Sequence, residues 1–405
     1  MPLRKLMYFD ELISNYEKQH REKNIFHDLM SWKVREILLV ATMYDSFIVE
    51  SDGALTDQIS GEYHQLNLSS SPRVTSAYTE ENAVEVFIRQ TFDMVILMVG
   101  LDLKATMSTA ARLKALKPDI SILMLLNNNA SLPLLDNEDC NFECIDRIFV
   151  WNSYTKLFVG MIKYVEDLHN AKPDTATGLV RVILIIEDSI RYYSRYLPIM
   201  HTVIMRQVQA LVEEEQLVEN KKILRMRARP KLLLATNYEE ALALFNQYQP
   251  YILAVISDVR FKKGGKINPI AGFDFMEMAQ KRIKDLPFMI QSSELENREL
   301  AYSLGASFSD KNSNSLDLEL KKFLTENLGF GAFIFRDAQE VEIARAHNME
   351  EFIERLRTVI PESILYHGAR NHFSAWLMAR GEIAFARIMR QYRISDLESP
   401  SADAR

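Results

Sequence analysis

Short unbroken runs of Ile, Leu and Val recur along the chain, separated by stretches long enough to hold a helix. VREILLVAT from Val34 and VRVILIIED from Val180 begin alike. Each is apolar at consecutive positions rather than at every second one, the pattern of a parallel strand covered on both faces. Downstream, RVTSAYTEENAVEVF from Arg73 matches KLLLATNYEEALALF from Lys231, a strand followed by an amphipathic helix. FDMVILMVG from Phe92 then pairs with YILAVISDV from Tyr251, SILMLLN from Ser121 with FMIQSS from Phe288, and DRIFVW from Asp146 with ASFSDK from Ala306. The chain therefore carries a domain duplication, and each copy reads β-α-β-α-β-α-β-α-β. Right-handed crossovers turn such units into a doubly wound parallel sheet, an α/β fold whose chemistry lies at the carboxyl ends of the strands.

The same pattern divides the chain into an N-terminal helical extension (1–33), a first copy (34–172), a linker (173–179), a second copy (180–328), a mainly helical C-terminal region (329–397) and a disordered tail (398–405). The linker reading rests on the polar, Pro/Gly-marked run Ala171-Lys-Pro-Asp-Thr-Ala-Thr-Gly178. HTVIMRQVQALVEEEQLVE, from His201 through Glu219, keeps apolar residues at helical spacing and extends the first helix of the second copy. It ends in the basic stretch Lys221 to Lys231, which reads as a solvated face in preference to a docking surface for an acidic partner.

Composition narrows the class. With 405 residues, 48% of them hydrophobic, the chain holds several globular domains and is not mainly disordered. Its 2 cysteines, Cys140 and Cys144, cannot close a four-ligand zinc site by themselves and fit a reducing compartment. Charged residues interrupt the opening MPLRKLMYFDELISNYEKQH, which weighs against a secretory signal. No run approaches the roughly 18 apolar residues of a membrane span, so the expected location is cytoplasmic. A balance of 48 basic against 55 acidic residues weighs against general nucleic-acid binding.

The strand ends of the second copy carry the polar residues. The first ends in Glu187-Asp188, the third in Asp258, the fourth in Ser292 and the fifth in Lys311. Three carboxylates make a hard-oxygen pocket of the kind Mg²⁺ prefers. With a hydroxyl and an ammonium beside them, the set has the parts for phosphoryl transfer, a reaction catalysed by positioning and charge neutralisation. Asp258 is then the expected nucleophile, forming an acyl phosphate. Asp188 would hold the metal, Glu187 would support it, Lys311 would pair with phosphoryl oxygens and Ser292 would donate to one of them.

On these five positions the second copy resembles a response-regulator receiver domain, of flavodoxin-like fold. The resemblance implies Asp258 as phosphoacceptor and Mg²⁺ held by Glu187, Asp188, Asp258 and the backbone carbonyl of Arg260. It also implies Phe308 as the aromatic that changes rotamer, and a histidine kinase or phosphotransfer protein as donor. Two departures stand out: Asn312 follows Lys311 where the family usually has proline, and the loop Phe261-Lys-Lys-Gly-Gly-Lys-Ile-Asn-Pro269 is longer than usual. The first copy keeps the strands and loses the chemistry, with Ala41 and Thr42 at the acidic pair, Met98 at the phosphoacceptor, Leu126 at the hydroxyl and Trp151 at the lysine. It reads as a degenerate receiver whose pocket is packed shut. Asp45, Asp93 and Asp102 remain near it and fit surface carboxylates at helix N-termini better than a second metal site.

Lys262-Lys-Gly-Gly-Lys266 lacks the spacing of a phosphate-binding loop and reads as a mobile loop. In Tyr366-His-Gly-Ala-Arg-Asn-His-Phe-Ser-Ala-Trp376, His367, His372 and Arg370 fit an aromatic helix packed on the receiver better than a phosphate or metal site. Together with LRMRARP from Leu224, GFGAFIFRD from Gly329 and RISDL from Arg393, that segment resembles the N-terminal tandem-receiver half of bacterial phosphoenolpyruvate synthase/pyruvate phosphate dikinase-like signalling proteins. This implies a dikinase-like output domain or protein as partner and no enzymatic activity beyond receiver self-phosphorylation. The expectation is a phosphorelay response regulator, with a homodimer left open. A regulatory part of a dikinase-like enzyme and a DNA-binding regulator are the alternatives. The glutamates interleaved through 330–397 argue against a basic recognition helix.

Overall fold

The computed structural model describes residues 28–43, 59–61, 63–64, 71–100, 102–136, 142–151, 156–214, 226–283, 286–370, 372–380, 382 and 386. Most of the N-terminal extension, the C-terminal tail, Asp45, Cys140 and the stretch 215–225 lie outside the described residues.

The first copy is a five-stranded parallel sheet built from β1 (Glu36–Val40), β2 (Arg73–Ala77), β3 (Met94–Met98), β4 (Ser121–Leu126) and β5 (Arg147–Val150), in the order β2-β1-β3-β4-β5. Helices α1 (Glu80–Arg89) and α2 (Leu103–Leu116) cover one face, and α3 (Lys156–Gly178) covers the other. The second copy repeats the plan with β6 (Val182–Ile186), β7 (Lys231–Ala235), β8 (Ile252–Asp258), β11 (Phe288–Ser292) and β12 (Ser307–Asp310), again all parallel, in the order β7-β6-β8-β11-β12. Helices α5 (Tyr238–Tyr248), α6 (Ala271–Arg282) and α7 (Asn297–Ser303) cover one face; α4 (Ile190–Glu214) and α8 (Leu316–Asn327) cover the other. Thr79 and Asn237 occupy the same place in the two matched stretches, and each caps its helix, accepting from Asn82 N and Glu240 N. The fold is thus two doubly wound α/β lobes.

The lobes share one core. Phe149, Phe158 and Tyr164 of the first pack in a single cluster with Ile183, Tyr193, Met200, Leu234 and Leu324 of the second. The helices α3 and α4 form the join, and they approach so closely at Gly160 that a Cβ there would lie 2.8 Å from Pro198 Cγ. The turn of α4 behind the Glu187-Asp188 loop also closes the free edge of β5: Val150 N donates to Ser194 Oγ at 3.0 Å, and the Tyr193 hydroxyl donates to the Ile148 carbonyl. An edge strand is thereby denied to outside chains.

The segment expected to be a linker is helix. Lys156–Gly178 runs without a break, Pro173 included. Several of its polar residues are buried and partnered, while Lys172 and Thr177 face outward. Asp174 receives Lys231 Nζ at 2.7 Å and the Met30 amide at 3.0 Å, and Asn170 exchanges bonds with both the N–H and the C=O of Trp32. Asp167 takes a two-pronged Arg229 guanidinium at 2.7 and 3.0 Å and the Leu232 amide at 2.9 Å. The basic stretch is corrected with it, since Arg229 and Lys231 at its end are buried charges of this join, not a solvated face.

The loop after Asp258 is likewise ordered. It forms a hairpin of β9 (Phe261–Lys263) and β10 (Lys266–Asn268), turned by Gly264 and Gly265 at φ 61° and 76°, the backbone that a two-residue turn matched to strand twist demands. Phe261 anchors it in the core, and Lys263 bonds Asp274 at 2.6 Å. The C-terminal region adds to its helices α9 (Met349–Thr358), α10 (Pro361–Ala369) and α11 (His372–Ala379) a hairpin of β13 (Phe333–Arg336) and β14 (Glu342–Ala346), which the helical expectation missed. Phe333, Phe335, Phe352, Phe373 and Trp376 fill its core and meet Leu29 and Val180. His367 serves this packing: its Nε2 accepts from the Arg336 amide at 2.8 Å, which leaves its Nδ1 proton for His372 Nδ1 at 2.9 Å. Among the described residues no helix is long and apolar enough to cross a membrane.

Candidate functional site

The strand order of the second lobe reverses between β6 and β8, and the crevice at their carboxyl ends is where a doubly wound sheet holds ligands. The chain puts its carboxylates there. Glu187 and Asp188 follow β6, while Asp258 ends β8, whose seven residues are all buried. Glu187, Asp188 and Asp258 each offer a carboxylate oxygen within 4.8 Å of the others, and no other such cluster of three potential ligands occurs among the described residues. Lys311, just past β12, spans two of them: its Nζ lies 2.5 Å from Glu187 Oε2 and 2.7 Å from Asp258 Oδ2. Ser292 ends β11 between β8 and β12; its hydroxyl oxygen accepts from the Glu294 amide at 3.1 Å and from Asn297 Nδ2 at 3.0 Å.

Three carboxylates share this crevice with one ammonium, so ionising all three would leave an excess of negative charge. Burial, reinforced by Asp258, pushes the Glu187 carboxyl up to about 8 against the pull of Lys311. Asp188 is also raised, by burial and then by Asp258. Burial works to lower the Lys311 ammonium, but the charges of Glu187 and Asp258 outweigh it and raise it. A divalent cation bound by oxygen would cancel this excess, so the donor set fits Mg²⁺.

Asp258 is held rigidly. Its Oδ1 accepts from the Val259 amide at 2.7 Å, and its carbonyl takes the Ser257 hydroxyl at 2.7 Å. The first turn of α6 comes so near that a Cβ on Gly272 would stand 2.1 Å from that carbonyl, while the Gly272 amide donates to Val259 O at 3.0 Å. The sequence reading passed over Gly272; its signal was a glycine entering a helix shortly after the carboxylate strand. Arg260 is exposed at the start of the hairpin. Phe308 on β12 is half-buried, with the Arg298 guanidinium 5.3 Å from its ring centroid.

The corresponding crevice of the first lobe contains Ala41, Met98, Leu126 and Trp151, all buried, with Thr42 exposed. Trp151 packs against Phe158 at 5.1 Å. Apolar side chains thus fill the place that the second lobe gives to its charges. Asp102 caps α2 through Lys104 N and Ala105 N, whereas Asp93 lies before β3, at the opposite end of the sheet, accepting from the Arg35 and Glu36 amides.

No family model matches the chain, and no curated relative does. Among solved structures, two two-component system response regulator/GGDEF domain proteins align at TM-score 0.27, with 15% and 14% identity, each over 73% of this chain and 98% of its own. A LacI transcriptional regulator from a Rhodococcus species aligns at TM-score 0.22 and 11% identity, over 73% of this chain and 90% of its own. Scores and identities this low carry no function across to this chain.

Proposed function

We propose that the second lobe is a phosphoacceptor receiver, that the chain is a signalling regulator of the phosphorelay type, and that Asp258 is the residue modified. The observation that carries this is the convergence of Glu187, Asp188 and Asp258 around Lys311 at the switch point of a parallel sheet. The Asp258 carboxylate attacks the phosphorus of a phosphohistidine or small acyl phosphate, forming one P–O bond as the bond to the donor's leaving group breaks. Lys311 exchanges its contact with Asp258 Oδ2 for a phosphoryl oxygen, and the Ser292 hydroxyl supplies a hydrogen bond from the neighbouring strand. Glu187, Asp188 and Asp258, with the Arg260 carbonyl, would hold a Mg²⁺ ion, which when bound would supply charge neutralisation for the phosphoryl oxygens.

On this reading the chain acts as a switch that is phosphorylated and not as an enzyme on other substrates. Its donor is a histidine kinase or phosphotransfer protein. Transmission to a dikinase-like output rests on the sequence resemblance alone. The test is intact-mass analysis of the chain after exposure to acetyl phosphate and Mg²⁺. One phosphoryl group on the wild type and none on Asp258→Asn is expected; equal labelling of the variant overturns the assignment.

A further inference from the structure

A lysine that must neutralise phosphoryl charge sits at the end of a flexible four-carbon stem, and here the residue is followed by the loop 311–313, which no strand continues. Beyond its two carboxylate contacts and the bond from its amide to the Ser292 carbonyl at 3.0 Å, it is braced by a single turn of α4. Tyr192, Arg195 and Tyr196 are spaced three and four apart and lie on one helix face. The Tyr192 ring centroid stands 4.6 Å from the Lys311 ammonium, and its hydroxyl reaches Asn312 Oδ1 at 3.5 Å. Arg195 donates from Nη1 to the Lys311 carbonyl at 3.5 Å and from Nη2 to the Ser313 carbonyl at 2.9 Å. Tyr196 donates its hydroxyl to the same Lys311 carbonyl at 3.3 Å and stacks on Tyr192 with centroids 5.8 Å apart. Between these residues, Tyr193 and Ser194 bond the edge of β5, so the turn that grips the lysine loop is itself seated on the first lobe.

We propose that Tyr192, Arg195 and Tyr196 are positioning residues for Lys311, bracing its backbone and its ammonium so that the charge is in place when a phosphoryl group arrives. The inference rests on the phosphoacceptor reading above and names the residues that tune that site. None of the three touches the carboxylates through a bond of its own; they act through the lysine. An aromatic face attracts an ammonium only in ring form, so Tyr192→Phe keeps the effect and Tyr192→Leu removes it.

The test uses the full chain in four variants: Tyr192→Leu, Tyr192→Phe, Arg195→Met and Asp258→Asn. Tyr192 and Arg195 are only half-buried, so these changes leave the core intact, as circular dichroism will verify. With acetyl phosphate, Tyr192→Leu and Arg195→Met are expected to lower the initial labelling rate by about tenfold or more, the scale of a misplaced catalytic charge. Tyr192→Phe stays near wild type, and the Mg²⁺ titration midpoint does not move. An independent readout is the reactivity of Lys311 toward an amine-acylating reagent, followed by peptide mass spectrometry. It should rise several-fold in Tyr192→Leu and Arg195→Met and not in Tyr192→Phe. Wild-type labelling and wild-type lysine reactivity in both variants overturn the clamp while Asp258→Asn remains unlabelled. Labelling of Asp258→Asn overturns the phosphoacceptor reading instead, and lysine reactivity then decides the clamp alone.

Discussion

Asp167 is fully buried in α3, and its carboxylate is the hub of the join between the lobes, taking both prongs of Arg229 and the Leu232 amide. The Arg229 charge, helped by His201 and Lys231, more than offsets burial and holds the Asp167 carboxyl below its usual range. Asp167→Ala leaves a guanidinium 2% exposed with no countercharge at that position, and breaking a buried pair from one side costs about 3–5 kcal/mol. The orphaned Leu232 amide adds about 1 kcal/mol or more, which puts the change at the top of that range. Arg229→Met is expected to cost less, because the carboxylate it leaves still has the Leu232 amide and the nearby Lys231 charge. Replacing both at once, Asp167→Ala with Arg229→Met, removes the charges together and should cost well under the sum of the single changes. Urea unfolding followed by tryptophan fluorescence measures all four free energies. Because the pair ties the two lobes, one cooperative transition is expected in each case. Additive single and double changes, or an Asp167→Ala loss of less than about 1 kcal/mol, would refute the reasoning.

Three further outcomes can be checked. Removing either Asp188 or Asp258 by change to Asn should abolish most Mg²⁺ affinity in a fluorescence titration, whereas Asp102→Asn, at a helix cap of the first lobe, should leave it unchanged. Burial lowers His201 to about 3 against the attraction of Asp167, and His367 to about 3 with His372, Arg336 and Arg370 adding to burial. For these two groups the unfolded state takes up protons that the folded state refuses, so the histidines' contribution to stability is fully present above about pH 6.5 and is lost by about 1.4 kcal/mol per pH unit for each histidine toward pH 3. His201→Phe should flatten that slope by one histidine's share in urea melts between pH 6 and 4, and an unchanged slope would contradict the assignment. Gly272→Ala should lose both about 1–3 kcal/mol in thermal melts and Asp258 labelling, because its methyl meets the Asp258 carbonyl. Gly264→Ala faces open space at φ 61° and should cost about 1 kcal/mol of turn strain without touching the site.

The strands and the site positions were legible because both depend on local pattern. Ile, Leu and Val runs mark strands buried on two faces, and a doubly wound sheet has one end at which charged residues converge. What the letters hid was non-local. Asp174 and Asn170 look like linker residues until Lys231, Met30 and Trp32 are seen to meet them, and Arg229 looks solvated until Asp167 is placed beside it. The hairpin of β13 and β14 was legible in principle, since Phe333 and Phe335 alternate with half-buried positions, but the helices around it dominated the reading. Gly272 has no meaning in sequence until the Asp258 carbonyl is known to lie against it. The clamp of Tyr192, Arg195 and Tyr196 was hidden for a similar reason, because an amphipathic helix face does not announce which loop it will hold.

The bond from Leu232 to Asp167 crosses 65 residues of sequence, and that separation sets a schedule for the chain as it is made. At about 5–20 residues per second, roughly 3–13 seconds pass between the emergence of the carboxylate on α3 and the arrival of the segment that satisfies it. During that interval the edge of β5 also waits for Tyr193 and Ser194. The first lobe therefore reaches its final packing only when the second is under way, and a ribosome paused shortly after residue 178 would present a half-finished domain to chaperones and proteases.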